Sequence, residues 1–346
     1  MINQISIKSS IQNYTIDIRD DLLDIIEYEL SNGAFFIIDV NVYKLYFHNS
    51  IFEKFSNNFL TINPTEANKS IDKCKSIVEI LVEKNIRHNQ RLVAIGGGIT
   101  QDVTAFIASI YLRGVDWIFI PTTLLAQADS CIGGKTSINL NDIKNIVGGF
   151  NPPVKIFIDF KFLETLLIED IKSGIGEMLH FYFYSNSPYI KEIIREYDNL
   201  LENPKNLVKF IIESLKIKKS VIEIDEFDKG ERNKFNYGHT FGHAIETATN
   251  YRIKHGQAVT VGMDIANYIS CNNGLMDEAN YNKTKQILEI NFPKYNWVNF
   301  NNNLSIESLG RDKKKQSHKL GCIISEVPGN LPKHFLPIDE TFKSLL

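Results

Sequence analysis

The fold is decided by the stretch Leu92-Val93-Ala94-Ile95-Gly96-Gly97-Gly98. Its four apolar residues are typical of a strand buried on both faces, and its glycines are typical of a tight turn into a helix. Phe35-Phe36-Ile37-Ile38-Asp39 predicts a second buried strand and Trp117–Ile120 a third, while residues 70–84 carry apolar side chains at helical spacing. Strands that alternate with helices predict a mostly parallel sheet with helices on both faces and a ligand at the carboxyl ends of the strands.

After Asn151-Pro152-Pro153 the sequence pattern changes from alternating strands and helices to mainly helical stretches. One short strand follows, Lys155–Ile158, and then long stretches have helical periodicity, at 169–184, 207–224 and 238–248. The length of 346 residues also exceeds the ~150 that is usual for one domain. We therefore predict two domains, an α/β domain at 1–152 and a mainly α-helical domain at 153–346.

The composition is typical of a soluble globular protein, and we expect the protein to be cytoplasmic. Hydrophobic residues make up 43% of the chain and charged residues 23%, and the formal net charge of −3 gives no sign of a nucleic-acid partner. No apolar run approaches ~18 residues, and residues 1–22 lack the basic start and apolar stretch of a signal peptide, so we expect no membrane association. The cysteines are scattered, as expected for reduced thiols: Cys74, Cys131, Cys271 and Cys322.

Gly96-Gly97-Gly98 could bind a phosphate group. Glycine lets the backbone approach a pyrophosphate closely, and the N-terminus of the helix that follows, which contains Asp102, favours negative charge. The triplet lacks G-x-G-x-x-G spacing, so a simple tight turn explains it equally well.

A second cluster of polar residues follows between Asp129 and Asn145. Gly133-Gly134-Lys135-Thr136 combines close backbone approach with a cationic side chain, and Asn139 and Lys144 lie just beyond it. A single lysine is usually only solvated surface. The clustering of lysine, asparagine and glycine favours a phosphate site.

His239 and His243 are four residues apart in Asn236-Tyr237-Gly238-His239-Thr240-Phe241-Gly242-His243, so they share one face of a helix, and His255 follows. Borderline-soft divalent metals favour neutral imidazole with a carboxylate, which Glu177 could supply. The H-E-x-x-H glutamate is absent, and spacing alone does not decide which histidines bind.

Further motifs occur in order along the chain: Gly96-Gly97-Gly98 with Asp102, Tyr111-Leu112-Arg113-Gly114, Pro121-Thr122-Thr123-Leu124-Leu125-Ala126-Gln127, Asp129, Gly133-Gly134-Lys135-Thr136, Lys144-Asn145, Gly176-Glu177 and Gly238-His239-Thr240-Phe241-Gly242-His243-Ala244-Ile245-Glu246. From about Asp39 to Lys314 this series resembles the 3-dehydroquinate synthase family of sugar-phosphate cyclases. The resemblance implies an N-terminal NAD-binding domain, a C-terminal helical metal-binding domain, a site between them, and a homodimer.

The resemblance also assigns individual positions. The residues at the family's Zn²⁺ (or Co²⁺) positions are Glu177, His239 and His255. Those at NAD positions, with the glycine turn, are Asp39, Asn41, Glu66, Lys69, Gly97, Gly98, Asp102, Thr122, Thr123, Lys144, Phe162 and Thr165. Those at substrate positions are Asp129, Lys135, Asn145, Lys218, Arg232, Asn236, His243 and Lys313, and Arg113 matches an arginine that reaches the phosphate in the neighbouring subunit.

The family reaction converts 3-deoxy-D-arabino-heptulosonate 7-phosphate to 3-dehydroquinate and phosphate in the shikimate pathway, which supplies aromatic amino acids. NAD is reduced and then reoxidised, so no net redox change results. The resemblance therefore implies a small-molecule sugar phosphate as the substrate. A metal would stabilise a developing alkoxide, and basic side chains would hold the phosphate.

One departure from the family concerns the substrate site. The family has a lysine three residues after the metal-binding glutamate, and this chain has His180. A fixed positive charge is lost there, whereas Arg232 matches the arginine that faces the substrate carboxylate and favours an acidic substrate. Gln101 replaces a small residue on the cofactor side, before Asp102.

Three alternatives remain open on the sequence. A paralogous cyclase would act on another sugar 7-phosphate or an amino-analogue. A metal-dependent polyol dehydrogenase would release NADH stoichiometrically, but Lys135 and Asn145 argue for a phosphate substrate. A binding module without activity is disfavoured by the intact Glu177, His239 and His255.

Overall fold

The computed structural model describes residues 4–141, 143–297, 300, 309, 315–316 and 319–337. The chain divides into two compact units, Met1–Leu166 and Leu167–Leu346. The first is an α/β unit with one large sheet, and the second is mainly helical. The predicted fold class is therefore confirmed.

The first unit contains nine strands and four α-helices among its described residues: β1 Gln4–Ile7, β2 Tyr14–Ile18, α1 Leu23–Ser31, β3 Phe35–Asp39, α2 Val40–Val42, β4 Phe59–Ile62, α3 Ile71–Glu83, β5 Leu92–Gly96, α4 Gly98–Ile110, β6 Trp117–Pro121, β7 Lys135–Leu140, β8 Ile143–Phe150 and β9 Lys155–Ile158. Seven strands form one sheet in the order β1-β2-β9-β6-β5-β3-β4. Only the β1–β2 pair of this sheet is antiparallel. Strands β7 and β8 form a separate antiparallel hairpin.

The central strands β3, β5 and β6 are buried at every position, as their unbroken apolar runs predict. Alternate residues of these strands, such as Phe36, Val93 and Ile118, pack with Ile26 and Leu30 of α1 in one hydrophobic cluster. Helix α4 contacts the same three strands. Burial on both faces leaves the carboxyl ends of the strands as the place where polar residues can collect.

Strand β9 belongs to the large sheet. It pairs in parallel with β2 and β6, and Ile156, Phe157 and Ile158 are buried. The first unit accordingly ends after Leu166, not after residue 152 as predicted, because β9 completes the sheet between β2 and β6.

The second unit contains seven α-helices and a small sheet among its described residues: α5 Ile168–Ser185, α6 Tyr189–Arg195, α7 Tyr197–Glu202, α8 Val208–Ile222, α9 His239–Ala248, α10 His255–Asn272, α11 Glu278–Glu289, β10 Lys315–Gln316, β11 Lys319–Ile323 and β12 Lys333–Pro337. The three strands lie in the order β10-β11-β12. In the described part of the chain, no helix is both long and apolar enough to span a membrane.

Glycines let α10 pack closely against α5 and the start of α9. A Cβ atom added to Gly256 would lie 1.8 Å from the carbonyl oxygen of Ser173 in α5. A Cβ atom added to Gly262 would lie 2.1 Å from the carbonyl oxygen of Gly238. Only glycine permits such backbone contact, and this contact brings together the three elements that carry the predicted metal ligands.

Candidate active site

The carboxyl ends of three adjacent strands carry the predicted nucleotide residues. Asp39 ends β3, Gly97 follows β5, and Thr122 follows β6. The backbone N–H of Asn41 donates a 2.8 Å hydrogen bond to the carboxylate of Asp39, whose pKa is raised by burial. Helix α4 begins at Gly98, and a Cβ atom added there would meet no atom within 4 Å. A helix N-terminus with open space beside Gly98 suits an anionic ligand.

Phe162 and Thr165, two further residues at predicted NAD positions, make contacts within the first unit. Phe162 is 2% exposed and belongs to the hydrophobic cluster of the sheet, where its ring contacts that of Tyr46 at 4.9 Å between centroids. The hydroxyls of Thr165 and Tyr46 lie 2.8 Å apart. The side chain of Thr123 makes a local hydrogen bond, in which its Oγ1 accepts from the backbone N–H of Ala126.

A polar network joins several other predicted residues of the first unit. The Lys69 Nζ lies 2.5 Å from Asp102 Oδ2 and donates to Asn145 Oδ1 at 2.7 Å. Burial raises the pKa of Asp102, while Lys69 and the backbone N–H of Ser137 act to lower it. A buried ion pair with these extra hydrogen bonds fixes the side chains that it contains.

Glu66 forms the other end of this network. Its Oε2 accepts a 2.9 Å hydrogen bond from Asn139 and lies 3.4 Å from Lys144 Nζ. Burial alone would raise the pKa of Glu66, but Asn139, Lys144 and Lys69 together hold it below its ordinary value. Glu66 is thus ionised at neutral pH.

The remaining predicted residues of the first unit lie on turns and on the hairpin. Asp129 is half-buried in the short π-helix Ala126–Ser130, and Lys135 is exposed at the start of β7. Arg113 is exposed in a left-handed conformation, with φ of 69°, after Leu112 at 49° and before Gly114 at 117°. Three successive left-handed residues form a strained turn, which presents the arginine outward.

The second unit brings Glu177, His239 and His255 together, as predicted. The His239 Nε2 lies 3.4 Å from one carboxylate oxygen of Glu177, and the His255 Nε2 lies 3.6 Å from the other. Candidate ligand atoms of all three residues lie within 4.8 Å of one another. Glu177 is 3% exposed, so its carboxylate lies in an environment where a cation would compensate its charge.

The second nitrogen of each imidazole is held by an acceptor. The His255 Nδ1 lies 3.0 Å from Glu246 Oε2, and the His239 Nδ1 lies 3.2 Å from the carbonyl oxygen of Tyr237. Both acceptors favour a proton on Nδ1, so each Nε2 presents its lone pair towards Glu177. This is the arrangement that metal-binding histidines usually have, and the donor set fits zinc or cobalt.

His243 lies beside this cluster. It is exposed, and its ring is stacked 5.6 Å from that of His255. With Glu246 and His255 it forms a second group whose candidate ligand atoms are close together. That group shares His255 with the first group, and the His255 Nδ1 already points at Glu246. The geometry therefore favours Glu177, His239 and His255 as the metal ligands.

His180 is buried beside the cluster, with only 1% of its surface exposed. Its Nδ1 lies 2.8 Å from the carbonyl oxygen of Glu177, and its ring packs at 5.2 Å from that of His239 and 5.6 Å from that of Phe235. The residue that replaces the family lysine thus packs against the proposed metal ligands.

The structure describes three of the remaining predicted residues of the second unit, Lys218, Arg232 and Asn236. Lys218 on α8 and Arg232 are 6% and 4% exposed. The Arg232 guanidinium donates to the carbonyl oxygen of Glu226, and Asn236 Nδ2 donates to that of Asn233 at 2.9 Å. Lys313 lies outside the described residues.

Two residues with a part in these sites were not predicted from the sequence. Glu246 orients His255, and its spacing was a usable signal, because it lies seven residues after His239 on the same face of α9. Asn139 was noted only as a neighbour of Lys135. Its contacts depend on pairing between distant segments, which no local pattern reveals.

Comparisons with known proteins identify the family of the chain. The family model described as 3-dehydroquinate synthase N-terminal matches residues 59–173, and the one described as 3-dehydroquinate synthase C-terminal matches residues 174–315. A 3-dehydroquinate synthase of Thermoanaerobacter pseudethanolicus is 32% identical over 320 residues, which are 90% of this chain and 89% of that protein. The chain belongs to the 3-dehydroquinate synthase family. The predicted family membership is confirmed.

Two further relatives extend the comparison. A 3-dehydroquinate synthase of Alkaliphilus metalliredigens is 34% identical over 281 residues, 81% of this chain and 79% of that protein. A crystal structure of 2-deoxy-scyllo-inosose synthase complexed with carbaglucose-6-phosphate, NAD⁺ and Co²⁺ is 25% identical, with a TM-score of 0.86 over 99% of this chain and 98% of that one. The family fold thus hosts more than one cyclase.

Proposed function

We propose that the chain is a 3-dehydroquinate synthase that requires NAD⁺ and a divalent metal and converts 3-deoxy-D-arabino-heptulosonate 7-phosphate to 3-dehydroquinate and phosphate. The observation that carries the proposal is the Glu177, His239 and His255 cluster, in which both imidazoles turn Nε2 towards the carboxylate. It occurs in a chain whose relatives named 3-dehydroquinate synthase match it over most of its length.

The residues fit both cofactors that the inosose synthase structure contains. Glu177, His239 and His255 would hold Zn²⁺ or Co²⁺, and the end of β3 at Asp39 and the start of α4 at Gly98 would hold NAD⁺. When bound, NAD⁺ supplies a reversible oxidation of one alcohol and the metal supplies a Lewis acid for the developing negative charge.

The chain's own side chains would bind the substrate and move its protons. Lys135 and Asn145, on the β7–β8 hairpin, supply a cation and an amide for the phosphate. Arg232 presents a planar guanidinium that suits a carboxylate. His243 is exposed beside the metal cluster, and an imidazole can accept and return a proton at neutral pH.

A paralogous cyclase is the second candidate, and His180 is the observation that favours it. The family's lysine is replaced by a buried ring that brings no fixed charge to the site. The structural similarity to an inosose synthase crystallised with carbaglucose-6-phosphate supports this candidate, because one fold can host several activities.

A substrate panel separates the two candidates. The metal-loaded protein with NAD⁺ is offered the heptulosonate 7-phosphate, its amino-analogue, a neutral sugar 7-phosphate and glucose 6-phosphate, and the carbocyclic products are identified by mass and NMR. The proposal expects 3-dehydroquinate with the highest kcat/KM. A carbocycle from another substrate with higher kcat/KM would assign the paralogous function.

The same proposal implies a cellular location and an oligomeric state for the enzyme. An enzyme that supplies the shikimate pathway would act in the cytoplasm, where its cysteine thiols would stay reduced. Its functional unit would be a homodimer in which Arg113, on its outward turn, serves the partner's phosphate site.

A further inference from the structure

Asn139 lies between two groups of residues that belong to different parts of the proposed reaction. The β7–β8 hairpin carries Lys135 and Asn145, which we assign to the sugar phosphate, and the segment before α3 carries Glu66 and Lys69, which we assign to NAD⁺. Asn139 is on the hairpin but is only 7% exposed, because it is inserted against that segment. It is therefore placed to connect the two groups.

Four hydrogen bonds make this connection. The Asn139 backbone N–H donates to the carbonyl oxygen of Lys69 at 2.8 Å. Its side-chain Nδ2 donates to Glu66, at 2.9 Å to the carboxylate and 3.3 Å to the carbonyl oxygen. Its Oδ1 accepts from the backbone N–H of Asn145 at 3.0 Å. The last bond supports Asn145 in a left-handed conformation with φ of 52°.

The chemistry of these bonds requires an amide. One end of the side chain must donate to the carboxylate of Glu66, and the other must accept from the N–H of Asn145. Aspartate would keep the acceptor but would place a second carboxylate against Glu66. A hydroxyl or an alkyl side chain would lose at least one of the two bonds.

A second contact reinforces the same connection. The Lys69 Nζ donates to the side-chain Oδ1 of Asn145 at 2.7 Å while pairing with Asp102. The backbone of Asn145 is thus held through Asn139 and its side chain through Lys69. Movement of the nucleotide segment would consequently move a phosphate-binding residue.

We propose that Asn139 is a positioning residue which links the nucleotide segment Glu66–Lys69 to the β7–β8 hairpin, so that binding of NAD⁺ orders the phosphate-binding side chains of the hairpin. The inference rests on the proposed function, because the ligands of the two groups are assigned there. The linkage itself is a property of the free protein and can be measured without a ligand.

The test is hydrogen exchange of the hairpin amides at 135–150, with and without NAD⁺, in the full-length wild type and in Asn139→Asp. Exchange in the free variant should be about tenfold or more faster, as expected for the loss of a charge-assisted hydrogen bond. NAD⁺ should protect the hairpin of the wild type and should no longer do so in the variant. With NAD⁺ saturating, the KM for the sugar phosphate should rise about tenfold in Asn139→Asp, with a smaller change in kcat.

Two further variants separate a linkage from a general loss of structure. Asn141→Asp makes the same chemical change at an exposed position of the hairpin turn, which also has a left-handed φ, of 52°, and should leave hairpin exchange unchanged. The double variant Glu66→Gln with Asn139→Asp reverses donor and acceptor at unchanged net charge. It should restore the slow exchange of the free hairpin.

The proposal fails if Asn139→Asp leaves hairpin exchange and the KM at wild-type values, or if the reversed pair does not restore protection. It also fails if NAD⁺ binds the wild type without protecting the hairpin. A wild type that binds no NAD⁺ would overturn the proposed function instead. The free-protein comparison would still decide whether Asn139 holds the hairpin.

Discussion

Asp264 gives the protein a pH-dependent stability that one substitution should remove. It is half-buried on α10, and within the described residues its Oδ1 has no hydrogen-bonding partner. Burial raises its pKa from 3.8 to about 6; Lys285 opposes the shift and Glu289 adds to it. Tyr281 on α11 and Tyr237 complete the titratable groups that interact with it.

The raised pKa of Asp264 determines the direction in which stability changes with pH. The folded state favours the protonated carboxyl, so the contribution of Asp264 to stability is fully present below pH 3.8 and is lost as the pH rises through about 6. The whole difference corresponds to about 3 kcal/mol at 1.36 kcal/mol per pKa unit. Because part of the side chain remains in water, we expect about 2 kcal/mol.

Asp264→Asn should therefore be more stable than the wild type at pH 8 by about 2 kcal/mol, and the difference should shrink as the pH falls below about 6 and approach zero near pH 3.8. The measurement is urea unfolding at pH 4 to 8, followed by far-UV circular dichroism. Asp198→Asn removes an exposed carboxylate from α7 and serves as the matched control, with little effect at any pH. A destabilised Asp264→Asn at pH 8, or a gain independent of pH, would refute the reasoning.

Three further predictions concern the proposed sites. Glu246→Gln should weaken Zn²⁺ or Co²⁺ binding about 10- to 100-fold by releasing the ring of His255, as measured by titration of the metal-free protein; unchanged affinity would rule out the orienting role. His180→Lys should lower the KM for the heptulosonate 7-phosphate several-fold by adding a positive charge, without loss of metal; a kinetically silent variant would remove His180 from substrate recognition. Equal mixing of inactive Arg113→Ala and Lys135→Ala chains, after subunit exchange, should recover about a quarter of the wild-type activity, because half of the dimers would be hybrids with one intact site. An inactive mixture of verified hybrids, or a fully active monomer, would contradict a role for the arginine across the interface.

The sheet could be predicted from sequence where burial alone determines the pattern. Phe35–Asp39 and Lys155–Ile158 form strands with the predicted bounds, and the 70–84 periodicity becomes α3, preceded by Ser70 as its N-cap. Which strands pair is a different matter. Nothing local to Lys155–Ile158 shows that it lies between β2 and β6, so the predicted boundary separated it from its sheet.

The candidate metal site could also be predicted from sequence only in part. The i,i+4 spacing of His239 and His243 indicated a metal, but it did not show which of them faces Glu177. Family resemblance selected His239 and His255, which both lie close to Glu177, and their role as metal ligands stays a prediction. The burial of His180 against His239 depends on how α5 packs with distant segments, and therefore could not be predicted from the histidine itself.

The most direct test of the central claim is one reaction in which phosphate and NADH are measured together. Metal-loaded protein is mixed with NAD⁺ and the heptulosonate 7-phosphate, phosphate release is followed by a coupled assay, and NADH is followed by its absorbance. The account predicts one phosphate released for each substrate consumed, a requirement for both NAD⁺ and metal, and no net accumulation of NADH. Stoichiometric NADH, or no phosphate release from the fully loaded protein, would contradict it.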